Sequence, residues 1–520
     1  MGSGSVAKAA VSTTPGWGLA PACAALTQGL VVSPFAHLPA AEALFLGLPA
    51  EAGGAWLGTL RARTPITDAG GQTQPCAAIA FTFGGLAAMG LDAGVLASFS
   101  DPFREGMQQI DRRRRLGDDG PSVIDGGPIW SGGAEAPVAV HAVLLLYARD
   151  DGALDAECEK ARGVLAGAGV EIRRRVRLTL RLDEHGISRE HFGFADGISQ
   201  PLPFGPEIRT SGGAAASRDP WHGVAVGDVL MGYPDAHDEL AAGPLVSALA
   251  GFLDLGANGS YLVVRELRQD VARFWTSMDD AAIAAADPAL DADGLAAKAI
   301  GRTRGGAPLA PEPVPIGPDQ PDQPDRDKQA LPQTLERFPI AKPVPTFAES
   351  APGAPSPAGE AQPANAFGYF QGDPHGFSCP LGAHVRRANP RDGLARDAAG
   401  APGMLTFSNH HRILRRGRKF GPDIANPRID DGAERGLLFM CLVTDLARQF
   451  EFVQQNWLLN PPFATLFDET DPMLGPLGPF TLPGQPLRRR VAVETFVRFA
   501  GGEYFFLPSV PALDYLAGLG

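Results

Sequence analysis

The chain has 520 residues, 44% hydrophobic and 20% charged, with a formal net charge of −13. That length exceeds one small core and implies two to four domains. The acidic balance argues against a nucleic-acid partner, whose phosphates require a positive surface.

Glycine (64) and proline (48) are abundant and imply long irregular connections. The five cysteines, Cys23, Cys76, Cys158, Cys379 and Cys441, are widely spaced, odd in number and form no CxxC pair. They read as reduced thiols. Pro15, Gly16, Gly18 and Pro21 break up any apolar segment of signal-peptide type, and no run reaches the length of a membrane span. A cytoplasmic location is the expectation.

In chain order, residues 1–25 read as a flexible lead. Cys76 to Phe83 predicts a strand, followed after Gly84-Gly85 by a short apolar helix through Met89. Val138 to Ala148 is a buried strand by its run of aliphatic residues. Asp150 or Asp151 caps the helix after it, with Leu154, Cys158 and Ala161 on one face and a stop at Gly167 to Gly169. Val170 to Leu182 resumes as a strand, with Arg173, Arg174, Arg175, Arg177 and Arg181 making one side basic. The unit is β-α-β.

In the second half, Ser260 to Leu267 predicts a strand and Asp270 to Met278 a helix. From about Asp280 to Gln362 the chain is rich in Pro, Ala and Asp, a composition that reads as an excursion unable to pack a core. Leu437 to Val443 is a further buried strand. Thr444 or Asp445 caps the next helix, whose apolar positions Leu446, Phe450, Val453 and Trp457 are spaced 4, 3, 4. A hairpin is expected at the end, Val491 to Phe499 turning through Ala500-Gly501-Gly502 into Glu503 to Leu507. Strand followed by acid-capped helix recurs in both halves and hints at duplication. Two α+β units, each a sheet covered by helices, fit better than a doubly wound parallel sheet.

Three stretches carry chemistry. Cys379 to Arg391 holds His384 among small and basic residues. A neutral imidazole ligates iron through one nitrogen while the other donates to an orienting acceptor. Arg386, Arg387 and Arg391 follow and can pair with the carboxylates of an anionic cofactor. In His191-Phe-Gly-Phe-Ala-Asp-Gly-Ile-Ser-Gln-Pro201, Asp196 lies in a turn between Gly193 and Gly197. Its low intrinsic pKa keeps it a base in acid, although a turn aspartate bonded to local amides is the commoner role of such a motif. In His410-His-Arg-Ile-Leu-Arg-Arg-Gly-Arg-Lys, Arg415 stays charged at any relevant pH and can stabilise charge on an oxygen. The plain alternative is a solvated basic patch.

Together these stretches resemble the dye-decolourising peroxidases, a haem-enzyme family. The resemblance rests on Gly193-Phe-Ala-Asp-Gly197 with Ile-Ser-Gln-Pro, on Ala383-His-Val-Arg-Arg with Asn389-Pro-Arg391, and on Ile413-Leu-Arg-Arg-Gly417, in that order. It extends to Ala80 to Phe83, Gly259 to Arg265 with Asp270-Val271, and Gly436 to Phe439. It implies two ferredoxin-like domains with antiparallel sheets: residues 26–205 carrying the Asp196 motif, and residues 206–520 holding haem b, with the Pro-rich stretch as an insertion at about 280–362.

By the same resemblance His384 is the proximal iron ligand, Asp196 the distal acid/base and Arg415 the distal charge stabiliser. Asp445 falls where the family places an acid bonded to the proximal imidazole, with helix capping as its competing role. Arg391 is the expected propionate contact and Arg386 a weaker one. The implied activity is hydrogen-peroxide-driven oxidation of anthraquinone and azo dyes and phenols through a ferryl-oxo intermediate, with Tyr or Trp relays for bulky substrates. A haem-binding or haem-delivery protein with incidental peroxidase activity is the alternative.

Overall fold

The computed structural model describes residues 21–71, 74–133, 137–183, 187–204, 221–241, 243–248, 251–310, 367–484 and 487–520. The first twenty residues of the lead, and 311–362 of the Pro-rich stretch, lie outside them.

In the N-terminal half, β1 (Ala40–Gly47), β2 (Cys76–Phe81), β3 (Ala142–Ala148) and β4 (Glu171–Thr179) stand side by side in the order β4-β1-β3-β2. All neighbours are antiparallel. Helix Ala55–Arg63 follows β1, and helix Asp151–Gly167, capped by Asp150, follows β3. In the C-terminal half, β5 (Ser260–Gln269), β6 (Leu414–Arg415), β7 (Arg418–Phe420), β8 (Gly436–Val443) and β9 (Val497–Leu507) follow. β6 and β7 pair with the same side of β8, and the order is β7-β8-β5-β9. Each half therefore sets its first long strand between its third and fourth, the ferredoxin-like α+β arrangement.

Two short joins close the halves into one ring. Phe506 of β9 pairs with Phe81 of β2, and Lys419 and Phe420 of β7 pair with Thr179 and Leu178 of β4. Alternating side chains fill two layers, as the two-residue period of a strand dictates. Phe45, Leu145, Val176, Leu262, Met440 and Phe505 share the core within the ring. Leu44, Leu144, Leu146 and Val263 pack outward under Leu57, Leu154 and Leu165 of the helices. Closure leaves these strands no free edge except at β6.

Four expectations are corrected. Val497–Leu507 is not half of a hairpin but one 11-residue strand, with a bulge between Phe499 and Gly501. A Cβ on Gly501 would lie 2.5 Å from the Trp130 indole, and one on Gly502 2.7 Å from the Val264 carbonyl. These glycines admit close packing rather than a turn, and Arg489–Val493 pairs instead with Gly478–Leu482. The start of the supposed excursion is structured: helices Val271–Ala285 and Ala292–Ile300 bury Phe274, Trp275, Leu295 and Ala299 against Phe192 and Phe194. The Ala and Asp content that read as linker supplies small packing residues and an N-cap, Asp291, which accepts from Gly294 N.

The helix after β8 is π-helical, Leu446–Glu451 and Val453–Leu458, although its four expected apolar positions are buried. Finally, the arginines of β4 do not share one face. Arg175 and Arg177 pair outward with buried Glu42, while Arg174 points the other way to Glu266. No disulfide links the five cysteines, and no helix among the described residues is long and apolar enough to cross a membrane.

Glu266 on β5 is fully buried and accepts from Trp130 Nε1 (2.9 Å), Arg174 Nε (2.7 Å) and Arg268 Nε (3.3 Å), so it ties the N-terminal half to the C-terminal one. Glu266→Ala strands these donors and should lower stability by about 3 kcal/mol, the lower end for breaking a buried pair because Arg174 keeps some access to water. The urea midpoint measures it, and an unchanged midpoint would remove Glu266 from this role.

Candidate functional site

The loop from Ser188 to Gln200 leaves the end of β4 and is fixed by its own backbone. Asp196 N donates to Ser188 O (2.9 Å) and Ala195 N to Arg304 O (3.0 Å). Gly193 (φ 96°) and Gly197 (φ 78°) take left-handed conformations that side chains disfavour. Asp196 Oδ1 accepts from Gly197 N at 2.6 Å and from Arg415 Nη1 at 3.2 Å. Arg415 comes from β6, where its backbone N donates to Gln200 Oε1 (3.0 Å) and its Nη2 to Ser199 O (3.2 Å). Both side chains are one-third exposed. Each is held in place yet keeps a face open.

The basic run around Arg415 is not a solvated patch. Arg416 donates to Leu30 and Val31 carbonyls, and Arg418 to those of Phe35 and Leu38. Burial pulls the two guanidinium pKa values down to about 9 and about 10. Only Arg415 of the three lines the cavity.

His384 opens a one-turn helix, His384–Ala388. Its Nδ1 lies 2.9 Å from Asp471 Oδ2. A carboxylate only accepts, so Nδ1 carries the proton and Nε2 keeps its lone pair. Burial disfavours the imidazolium, but the charge and hydrogen bond of Asp471 outweigh it and raise the pKa of His384. Burial also acts against the Asp471 carboxylate, and His384, with its charge and hydrogen bond, brings that pKa down. Asp471 Oδ1 accepts from Met473 N and Leu474 N, both at 2.9 Å. Arg387, expected to reach a cofactor, is buried instead and clamps the carbonyls of Trp457 (2.7 Å) and Glu469 (2.6 Å), fixing the segment that presents Asp471.

Asp196, Arg415, His384 and Arg391 line one cavity of about 310 Å³. Arg391 (φ 54°) is buried, donates to Phe367 O at 3.0 Å and lies 3.9 Å over the Phe367 ring. Two expected residues are not there. Arg386 is turned away, bonded to Asp373 Oδ2 (3.3 Å) and Cys379 O (2.8 Å) over the Tyr369 ring, where it fixes the 373–379 loop. Asp445 does not touch His384. It caps the π-helix, accepting from Arg448 N at 2.9 Å, and the acid on the imidazole is Asp471. Locally Asp471 is marked only by the Asp-Pro dipeptide it opens, which does not single out a partner 87 positions away.

Two other histidines lie near these motifs: His191 Nε2 donates to Phe420 O (2.8 Å) outside the cavity, while His411 lines it, with Nδ1 donating to Arg448 O (2.5 Å), its ring stacked on Phe452 and its Nε2 without a hydrogen-bond partner. Among the described residues no group of three or more His, Cys, Asp or Glu can hold a bare ion. The lone pair of His384 Nε2, apolar walls including Ile198, Leu437, Phe439 and Met473, and the wall cations Arg302, Arg391 and Arg412 fit an iron porphyrin with its carboxylates.

No family model matches the chain. It is 29% identical over 350 residues to the multifunctional dye peroxidase DyP2 of Amycolatopsis sp., covering 64% of this chain and 62% of that protein. It is 26% identical over 468 residues to the dye-decolorizing peroxidase msp1 of Mycetinis scorodonius, covering 85% and 76%. Among solved structures, a DyP-type peroxidase of Anabaena sp. superposes with a TM-score of 0.66 at 22% identity over 95% of both chains. A dye-decolorizing peroxidase complex with 2,6-dimethoxyphenol gives 0.65 at 22% over 95% and 99%. The chain is thus similar in sequence to dye-decolorizing peroxidases along most of its length and shares the fold of DyP-type peroxidases.

Proposed function

We propose that the chain is a peroxidase that binds haem b in this cavity and uses hydrogen peroxide to oxidise aromatic substrates, phenols and anthraquinone or azo dyes. The observation that carries the reading is one cavity faced by two pairs, His384–Asp471 and Asp196–Arg415. Bound there, haem iron supplies the site where the peroxide O–O bond is reduced and the oxidising equivalents are held. His384 Nε2 would ligate the iron. Asp471 orients its ring and makes it a stronger donor, as carboxylates behind metal-bound histidines do. Arg391 pairs with a propionate.

In the same cavity, the Asp196 carboxylate would take a proton from one peroxide oxygen and return it to the departing one. The guanidinium of Arg415, held by Ser199 O and Asp196, stabilises the charge that develops on that oxygen. A pure haem carrier has no need of this pair. Bulky dyes exceed the cavity and give up their electrons at the protein surface. The absence of disulfides among the five cysteines fits a reducing compartment, the cytoplasm.

Asp196→Asn should lower kcat/KM for peroxide by roughly 10²- to 10⁴-fold and leave the Soret band of the haem-loaded protein in place. Arg415→Leu should cost about 10²- to 10³-fold. Full activity in both variants would sink the distal assignment. His384→Ala should abolish the Soret band on haem titration, which would instead persist unshifted if another residue were the ligand. Asp471→Asn keeps the shape but removes the charge. It should raise the iron reduction potential and slow the peroxide reaction by about 10- to 100-fold, whereas Asp445→Asn should alter neither.

A further inference from the structure

Glu190 lines the same cavity and takes no part in the chemistry above. It stands at the start of the loop that carries Asp196. Its Oε2 accepts from Phe192 N and from Gln269 Nε2, both at 2.8 Å, and its Oε1 accepts from Phe194 N at 2.9 Å. All three donors are neutral. Among the described residues the carboxyl has no cation within ion-pair distance, unlike Asp196 beside Arg415.

Burial pushes the Glu190 carboxyl up to about 7 against the pull of its three donors, and the charge of Asp196 adds to the rise. The other charged groups lining the cavity are Asp196, Arg265, Arg302, Arg391, Arg412 and Arg415, with the imidazoles of His384 and His411. Arg189, next in the chain, is turned to Asp183. The Oε1 of Gln269 is buried without a hydrogen-bond partner. If that amide turns over, a protonated Glu190 donates to its carbonyl, so the pair accommodates either protonation state.

We propose that Glu190 is the proton reserve of the cavity, a second acid that supplies the protons consumed when substrate electrons reduce the remaining peroxide oxygen to water. The inference rests on the peroxidase reading above. Reducing one hydrogen peroxide to two waters consumes two protons and two electrons, and the electrons come from the aromatic substrate. Asp196 only moves a proton that peroxide brought with it. Both consumed protons end on the oxygen that does not depart, so Glu190 breaks its own O–H bond, the proton passes along cavity water to that oxygen as substrate electrons reduce it to water, and the carboxylate regains a proton from bulk solvent after each transfer.

The test compares haem-loaded wild type, Glu190→Gln and Gln269→Leu in two measurements. These are kcat/KM for the aromatic substrate at saturating peroxide from about pH 5 to 9, and an infrared titration of neutral carboxyl groups in the resting enzyme. A group that donates only when protonated makes the wild-type rate fall as pH rises through about 7, and a carboxyl band should disappear over the same range. Glu190→Gln should lose both features and be slower by about 10-fold or more at the acid end. Gln269→Leu removes a donor that favours the carboxylate, so it should move both features to higher pH. The proposal is overturned if Glu190→Gln keeps the wild-type pH limb or the band, or if Gln269→Leu moves neither. Wild type without any peroxide turnover would defeat the peroxidase reading itself, whereas turnover with a pH limb independent of Glu190 defeats this inference alone.

Discussion

Two short strand pairings set every distance in the site. β7 meets β4 at Lys419–Thr179 and Phe420–Leu178, and β9 meets β2 at Phe506–Phe81. Because β4 runs into the Asp196 loop and β6 sits just before β7, the first pairing brings Asp196 and Arg415 together although 219 positions separate them. A shift of one residue in that register would reverse the faces of the β6–β7 segment and turn Arg415 out of the cavity. Glu266, accepting from Trp130 and Arg174, holds the same two halves from within the ring.

A second theme is the use of buried arginines as clamps on backbone carbonyls. Arg387, Arg416 and Arg418 each satisfy carbonyl groups of irregular segments, the 457–469 stretch in the first case and residues 30–38 in the others. Irregular buried backbone needs such partners, since an unpaired carbonyl in the interior is penalised. The guanidinium fork meets several at once. The long connections implied by the glycine and proline content are thereby made rigid where they matter, behind His384 and behind Arg415.

The two carboxylates that face the reacting space are kept in different environments. Asp196 has a cation and a backbone amide beside it, while Glu190 has only neutral donors. Burial without a cation raises the proton affinity of Glu190, and such differences of environment are how neighbouring acids come to serve different tasks. On the other side of the cavity Asp471 serves the imidazole alone, its remaining oxygen saturated by Met473 and Leu474 amides.

The sequence by itself determined five of the strands, those at Cys76–Phe81, Ala142–Ala148, Glu171–Thr179, Ser260–Gln269 and Gly436–Val443, with acid caps on helices that follow them, and marked Asp196, His384 and Arg415 as candidates, because those are written in short-range patterns: aliphatic runs, four-residue spacings, caps, and motifs contiguous in the chain. Tertiary structure alone decided which acid bonds His384, since Asp471 and Asp445 are equally plain as local signals and only the Arg387 clamp brings one of them within reach. It also decided that Gly501 and Gly502 pass straight through a strand, because the Trp130 ring that occupies the missing side chain's space comes from a distant segment. The same holds for the basic runs. Periodicity told neither Arg174 from Arg175 nor Arg415 from Arg416 by role; their partners are carbonyls and carboxylates supplied by other strands, and long-range pairing leaves no trace in local composition.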